Sequence, residues 1–477
     1  MKKENKNNKK FGVIGGGLVG SLLAIFLKRR GIDATVFEKR GDMRRDDVDG
    51  GRSINLIITS RAIHALSRLG LWDELKEITV PVFGRMMHSL EGDLTFQPYG
   101  KDKSECNYSV SRSLLNKALI SIAEKEGVKF HFSRALKNCD FERNIYTFQS
   151  GNHEEENHEI DHIFATDGAG SLCRKQMMGY LKKSFPEKFD SSEFCEKVDL
   201  LESGYKEFFV PSNSSGNYVM DKDSLHIWPR GSFMFMTLAN LKGSFTGTLY
   251  LPKDSSSGKP NFAELKNKDD VKGFFQNYFS DTLDVLPDLE EEFFANPVGT
   301  LGTVKCYPWN LQDKVLLVGD AAHAIVPFFG QGMNCGFEDC TVLDDLISQN
   351  QNDWKSTFHQ FSDERVAHSN AIADMALENF HEMKDKVGDP KFLLKKQIEN
   401  KLEQTFSNLY RSRYAMVTYS LIGYAHAYKL GIIQSNLIDE LSTGLTSKDQ
   451  LDLSKAQRLI EERIRPYLEK NKISFNF

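Results

Sequence analysis

A glycine pattern near the start constrains this chain more than any other feature. The apolar run Phe11–Ile14 leads into Gly15-x-Gly17-x-x-Gly20, and Ser21–Lys28 is then apolar at helical spacing until Gly31 stops it. A second apolar run, Ala34–Phe37, ends at Glu38. Strand, glycine turn, helix and strand make a βαβ unit, and such a unit demands a parallel sheet. The glycines let backbone approach a pyrophosphate, whose charge is met by the N–H groups at the helix N-terminus. Glu38 lies 18 residues beyond Gly20, where a carboxylate accepts the ribose hydroxyls of an adenosine half. Gly15, Gly17, Leu18, Gly20, Glu38, Lys39 and Arg40 are therefore the first candidate cofactor residues. By itself the motif does not divide NAD from FAD.

Two later stretches bear on that choice. Ala165-Thr166-Asp167-Gly168 ends an apolar strand, and Leu317-Val318-Gly319-Asp320-Ala321-Ala322-His323 ends another before a helix. A single strand-end Asp is usually a turn former or helix cap. The three signatures in the order GxGxxG, DG, GD resemble the FAD-dependent aromatic hydroxylases, the class A flavoprotein monooxygenases. That resemblance implies that Asp320 meets the ribityl chain of FAD and that Asp167 serves FAD and the nicotinamide donor. It also implies a single dinucleotide fold, with NADPH or NADH binding transiently. Arg52 in GGRSINL and Arg112 in SVSRSLLNKAL match positions that hold FAD phosphate or ribose oxygens, although Arg112 also reads as a surface residue at a helix start. Gly332, Met333 and Asn334 begin a helix whose positive end would face the flavin pyrimidine edge.

Within that class, GRSINLIITSRAIHALSRLGLWDEL, GRMMHSLEGDLTFQPYG, LHIWPR, SFTGTLYLP and VGDAAHAIVPFFGQGMNCGFEDC are similar to segments of the kynurenine 3-monooxygenase family. The resemblance implies hydroxylation of L-kynurenine with O2 and NAD(P)H through a flavin hydroperoxide. It implies that Arg85 and Tyr99 grip the amino-acid carboxylate and that Asn379 and Tyr414 add contacts. Leu225, Met234, Met236, Leu238, Thr248, Tyr250, Pro327 and Phe328 would line the ring pocket. Tyr250 stands where the family commonly has Phe, and Met236 replaces an aliphatic residue. Read from composition alone, Arg85 among Phe83, Met86 and Met87 is a charged anchor in apolar surroundings, or else a surface arginine paired with Glu91 or Asp93. His323 is not assigned as a base, because hydroxylation chemistry belongs to the cofactor. Hydroxylation of another carboxylated aromatic, or FAD binding without hydroxylation, stay open as alternatives.

The expected fold is α/β, with α+β character overall. A Rossmann-like FAD-binding domain is assembled from 1–85, 105–185 and 295–375, a mainly antiparallel substrate sheet from 86–104 and 186–294, and a helical cap from 376–477. Tyr146–Gln149 and Ile160–Ala165 suggest a small hairpin, and Pro252–Asp270 a surface loop. The chain carries 61 Lys+Arg against 66 Asp+Glu with both signs mixed, so no nucleic-acid footprint is expected. Seven cysteines without a C-x-x-C pair fit reduced thiols and no metal. The cationic start MKKENKNNKK suggests a targeting segment, but glycines interrupt the apolar run after it, which is shorter than the ~20 residues a spanning helix needs. The C-terminal IEERIRPYLEKNKISFNF resembles a soluble bacterial form, and the expectation is a cytoplasmic protein, with a homodimer left open.

Overall fold

The computed structural model describes residues 9–45, 55–385 and 390–475. The chain packs as two compact units. The first comprises Met1–Thr79, Val110–Leu201 and Leu301–Ala373, and the second Val80–Ser109, Glu202–Thr300 and Asp374–Phe477.

In the first unit, Phe11–Ile14 pairs in parallel with Ala34–Phe37 on one side and His162–Ala165 on the other. Lys129–His131 and Val315–Leu317 extend the parallel sheet outward, and Asn310–Leu311 closes one edge antiparallel. The inner strands, Phe11–Ile14, Ala34–Phe37, His162–Ala165 and Val315–Leu317, are mostly buried on both faces, as a sheet covered by helices requires. The helices Leu18–Arg29, Arg112–Lys125 and Gly332–Gln349 pack together around it. Contact between the first and third is backbone-close, since a Cβ on Gly336 would sit 2.6 Å from Val19. The hairpin expected between 146–149 and 160–165 is corrected. Ile145–Ser150 pairs with the polar strand Glu155–Glu159 and with Arg134–Asp140, while fully buried His162–Ala165 joins the central sheet. Burial on both faces suits a central parallel strand better than a hairpin edge.

The second unit is built on a mostly antiparallel sheet. Ser203–Val210 pairs with Phe245–Pro252, which pairs with Met234–Ala239 and then Ser224–Pro229; Gly84–His88 joins the last in parallel, and Leu94–Pro98 closes the edge. Side chains alternate between faces. One face carries Trp228, Phe235, Phe245 and Leu249, buried against Phe274, Phe275 and Phe279 as an aromatic core. Part of the 252–270 stretch expected as a loop joins this core through Phe262, while helix Lys268–Tyr278 starts at an Asn267 capping box.

The division differs from the expected one: 80–85, 105–109 and 295–300 fall in the second unit, 186–201 in the first, and the helical cap is not separate from the second unit. Val80–Val82 pairs with Asn107–Ser111 and Gly84–His88 enters the sheet, so 80–85 belong with the second unit. Residues 376–477 cluster there too, because Arg411 binds Glu105 and Glu403, and Asn107 binds Tyr414.

Candidate functional site

In the first unit the glycine turn is locked before any ligand is considered. Gly15 N–H donates to Phe37 O at 2.8 Å, and Thr166 Oγ1 donates to Gly15 O at 2.8 Å. A Cβ on Gly20 would lie 2.0 Å from Gly15 O, so only glycine permits the turn. A Cβ on Gly17, by contrast, would touch nothing within 4 Å, and Gly17 starts helix Leu18–Arg29 with no side-chain cap. The first-turn N–H groups are thus offered to an oxyanion instead of a neighbouring side chain. Glu38 accepts from Gly16 N–H at 2.8 Å through one oxygen and from Arg40 Nε at 2.9 Å through the other. Lys39 and Arg40 are exposed beside it.

Asp167 caps a helix: one carboxylate oxygen accepts from the N–H groups of Leu172 at 2.9 Å and Cys173 at 3.2 Å. Its other oxygen is buried without a hydrogen-bond partner, and burial pushes the carboxyl pKa up despite those donors. Asp320 is exposed at the head of the turn Asp320–His323. Arg112 is exposed at the first position of helix Arg112–Lys125, and Arg52 lies outside the described residues. The Asn334 side chain is committed within the fold. It donates to Ile57 O at 2.7 Å and Gly330 O at 2.8 Å and accepts from Thr59 N–H at 2.9 Å. Only its backbone N–H, with those of Gly332 and Met333 in the same first turn, is left for a cofactor. An open helix start, a carboxylate beside it and an unpartnered buried oxygen on Asp167 fit a dinucleotide such as FAD.

What holds the Asp320 turn was not visible in the sequence. Gly319, at φ 64° and ψ −143°, is in a glycine-only conformation. Its N–H donates to Asp339 Oδ2 at 3.0 Å, the same oxygen lies 2.6 Å from His323 Nε2, and Asp339 Oδ1 accepts from Arg365 Nε at 2.8 Å. Glu338 pairs with Arg365 and with Arg61. Burial disfavours the His323 charge, but Asp339 outweighs it and holds the imidazole protonated well above its usual range. His323, Cys335 and Asp339 converge closely enough for a metal ion. The Arg365 guanidinium, 3.4 Å from Cys335 Sγ and bonded to Asp339, already supplies the positive charge there. The cluster is an ion-pair network.

The second unit holds the other named residues. Register places Arg85 opposite Leu225, Ile227 opposite Met236, Met236 opposite Thr248, and Met234 opposite Tyr250. With Leu238 these side chains share one face of the sheet, the one turned away from the aromatic core. Ile227 was missed, although two-residue alternation from Leu225 points to it. At the end of that row Arg85 Nε donates to Tyr99 Oη at 3.4 Å, and its guanidinium lies 5.4 Å from the Tyr99 ring centroid and 6.0 Å from that of Tyr414. The two rings stack at 5.3 Å. Among the described residues no carboxylate lies within ion-pair distance of Arg85, so the surface pairing with Glu91 or Asp93 is excluded. Burial pushes the phenols of Tyr99 and Tyr414 upward, which keeps both protonated as donors. Asn379 is buried on the helix Trp354–Asp385. Pro327 and Phe328 belong to the first unit, on a short 3-10 turn with Phe328 buried.

The family model described as "FAD binding domain" matches residues 9–194 and 304–376. The kynurenine 3-monooxygenase of Myxococcus xanthus is 43% identical over 465 residues, covering 97% of each chain. That of Dictyostelium discoideum is 40% identical over 97% of this chain and 99% of its own. The chain belongs to the kynurenine 3-monooxygenase family. Like that family it is an FAD-dependent monooxygenase, an oxidoreductase. Solved structures agree on the fold. 2-Methyl-3-hydroxypyridine-5-carboxylic acid oxygenase matches at TM-score 0.62 and 19% identity, covering 87% of this chain and 99% of its own. HpxO of Klebsiella pneumoniae, solved with FAD, matches at TM-score 0.62 and 16% identity over 84% and 97%. No described helix of this family member is long and apolar enough to cross a membrane.

Proposed function

We propose that the chain converts L-kynurenine, O2, NAD(P)H and a proton to 3-hydroxykynurenine, NAD(P)+ and water. One observation carries the substrate assignment: Arg85 has no acid at ion-pair distance among the described residues and lies beside two protonated tyrosines at the end of an apolar row. A zwitterionic amino acid with an aryl ketone matches that arrangement, its carboxylate on Arg85 and its ring along Leu225, Leu238, Met236 and Thr248. The Gly15–Gly20 turn with Glu38, Asp167 and Asp320 would hold FAD, which would supply the oxygen-activating redox chemistry with NAD(P)H as electron donor. The protein's own residues bind, orient and exclude water from the ring. Tyr250, whose hydroxyl enlarges the polarity of the row, favours some tolerance for other carboxylated aromatics.

The test is anaerobic flavin reduction by NADPH and by NADH with and without kynurenine, followed by product analysis in air. Reduction accelerated by kynurenine, with 3-hydroxykynurenine formed in step with NAD(P)H lost, is expected. Equal reduction rates with no hydroxylated product would overturn the assignment.

A further inference from the structure

We infer that Glu105 and Arg411 are positioning residues for substrate recognition, an ion-pair latch that brings the helix carrying Tyr414 against Tyr99 beside the Arg85 guanidinium. This rests on the reading of Arg85, Tyr99 and Tyr414 as the carboxylate anchor. The three reach that place by different routes. Arg85 lies on the strand Gly84–His88 opposite Gln97, and Tyr99 just beyond that partner strand donates its N–H to Phe83 O at 2.9 Å, so the sheet ladder itself sets these two side by side. Tyr414 lies in the first turn of the short helix Arg413–Thr418, where a ladder cannot reach it. Its backbone has to be brought in by side chains.

Glu105 makes that connection with one carboxylate. Its Oε2 accepts from Lys101 N–H at 3.0 Å and so closes the turn that follows Tyr99, while its Oε1 pairs with the Arg411 guanidinium. The turn is tight, since a Cβ on Gly100 would lie 2.3 Å from that of Glu105. Arg411 is 6% exposed, and its second terminal nitrogen lies 3.6 Å from Glu403 Oε1. Its carbonyl accepts from Gln434 Nε2 at 2.7 Å. The next residue, Ser412, donates its N–H to Glu403 Oε2 at 3.3 Å and caps the Tyr414 helix, its Oγ accepting from Ala415 N–H at 3.3 Å. The start of that helix is therefore pinned three residues before Tyr414, to the loop that starts at Tyr99. The Tyr414 ring then stacks on Tyr99 at 5.3 Å and meets Tyr419 edge-on at 6.1 Å. Because both charges are largely removed from water, taking one away strands the other and loosens the join.

A ligand without the carboxylate separates positioning from packing. Dissociation constants are read from flavin absorbance on FAD-loaded parent, Glu105→Gln, Arg411→Gln, the Glu105→Gln/Arg411→Gln double variant and Tyr414→Ala, with thermal melting and FAD content as folding controls. Glu105→Gln keeps an oxygen for the Lys101 N–H but sets a neutral amide against the guanidinium, and Arg411→Gln breaks the same contact from the other side, so the answer does not hang on one variant folding. Each should weaken kynurenine at least fivefold and raise KM with kcat within twofold of the parent. The double variant should be no more than twofold worse than the weaker-binding of the two, because changes that break one contact overlap instead of multiplying. The amine left when kynurenine loses its carboxylate lacks the group the anchor grips, and it should bind the parent and both single variants alike within twofold. Parent affinity for kynurenine in the folded variants, or equal losses for the two ligands, overturns the inference while leaving the anchor intact. Parent affinity in Tyr414→Ala overturns the anchor reading at Tyr414 and the latch with it.

Discussion

Arg365 and Arg85 are both removed from bulk water, and the chain treats them in opposite ways. Arg365, 3% exposed, has Asp339 and Glu338 within 2.8 Å and shares Glu338 with Arg61. Its charge is neutralised inside the fold. Arg85 has phenols and an apolar row, with no acid at ion-pair distance among the described residues and only the longer-range charge of Glu382. A closed ion network shapes the protein, here by holding Gly319 in a conformation other residues resist, whereas a cation left open is a standing demand for an anion. A buried arginine therefore says little about function until its partners are counted.

Breaking each arginine should separate the two cases. The largest effect is expected from Arg365→Met, which strands Asp339 and part of Glu338 in a buried site. Removing one side of such a pair costs about 3–5 kcal/mol, so urea melts should show a loss of that order together with weakened FAD retention. A melt within about 0.5 kcal/mol of the parent would show that the network is not closed in the way described.

Arg85→Met should invert that pattern. Deleting a buried cation that has no ion-pair partner at contact distance leaves folding stability unchanged or slightly higher, while the kynurenine carboxylate loses its partner. The loss of about 3–4 kcal/mol corresponds to two to three orders of magnitude in affinity, measured by titrating flavin absorbance. Arg85→Lys should recover part of it, since an ammonium keeps the charge but not the planar fork. Stability lost in Arg85→Met with affinity kept would erase the contrast between the arginines.

The smallest effect concerns pH. Because Asp339 raises the native pKa of His323, the pair's contribution is fully present below the unfolded imidazole value of about 6.5 and is lost as pH rises through the native value. His323→Gln removes it. The stability gap between parent and His323→Gln should therefore be widest at mildly acidic to neutral pH and narrow as the solution becomes alkaline. A gap that widens with pH would mean that the imidazole is neutral in the native state.

Local sequence determined the elements that bring backbone to a ligand. Gly15, Gly17, Gly20 and Glu38 were legible because turn, helix start and strand end lie within 24 consecutive residues, and their geometry follows from local sterics. Helix Arg112–Lys125 and the four long strands between Cys195 and Pro252 were legible for the same reason, from periodicity. The ring-side row Leu225, Met234, Met236, Leu238, Thr248 and Tyr250 came from resemblance, and alternation then accounts for its shared face. What only tertiary structure decided is which polar groups meet across long separations. Asn334 reads as a helix-start residue, yet its amide reaches Ile57 and Thr59. Asp339 sits in a family-like segment but was given no role from the sequence, yet it grips Gly319 and His323, and Asn107 meets Tyr414 across 307 positions. Hydrogen bonds and ion pairs act over about 3 Å of space regardless of chain separation, and a linear pattern records only neighbours along the chain.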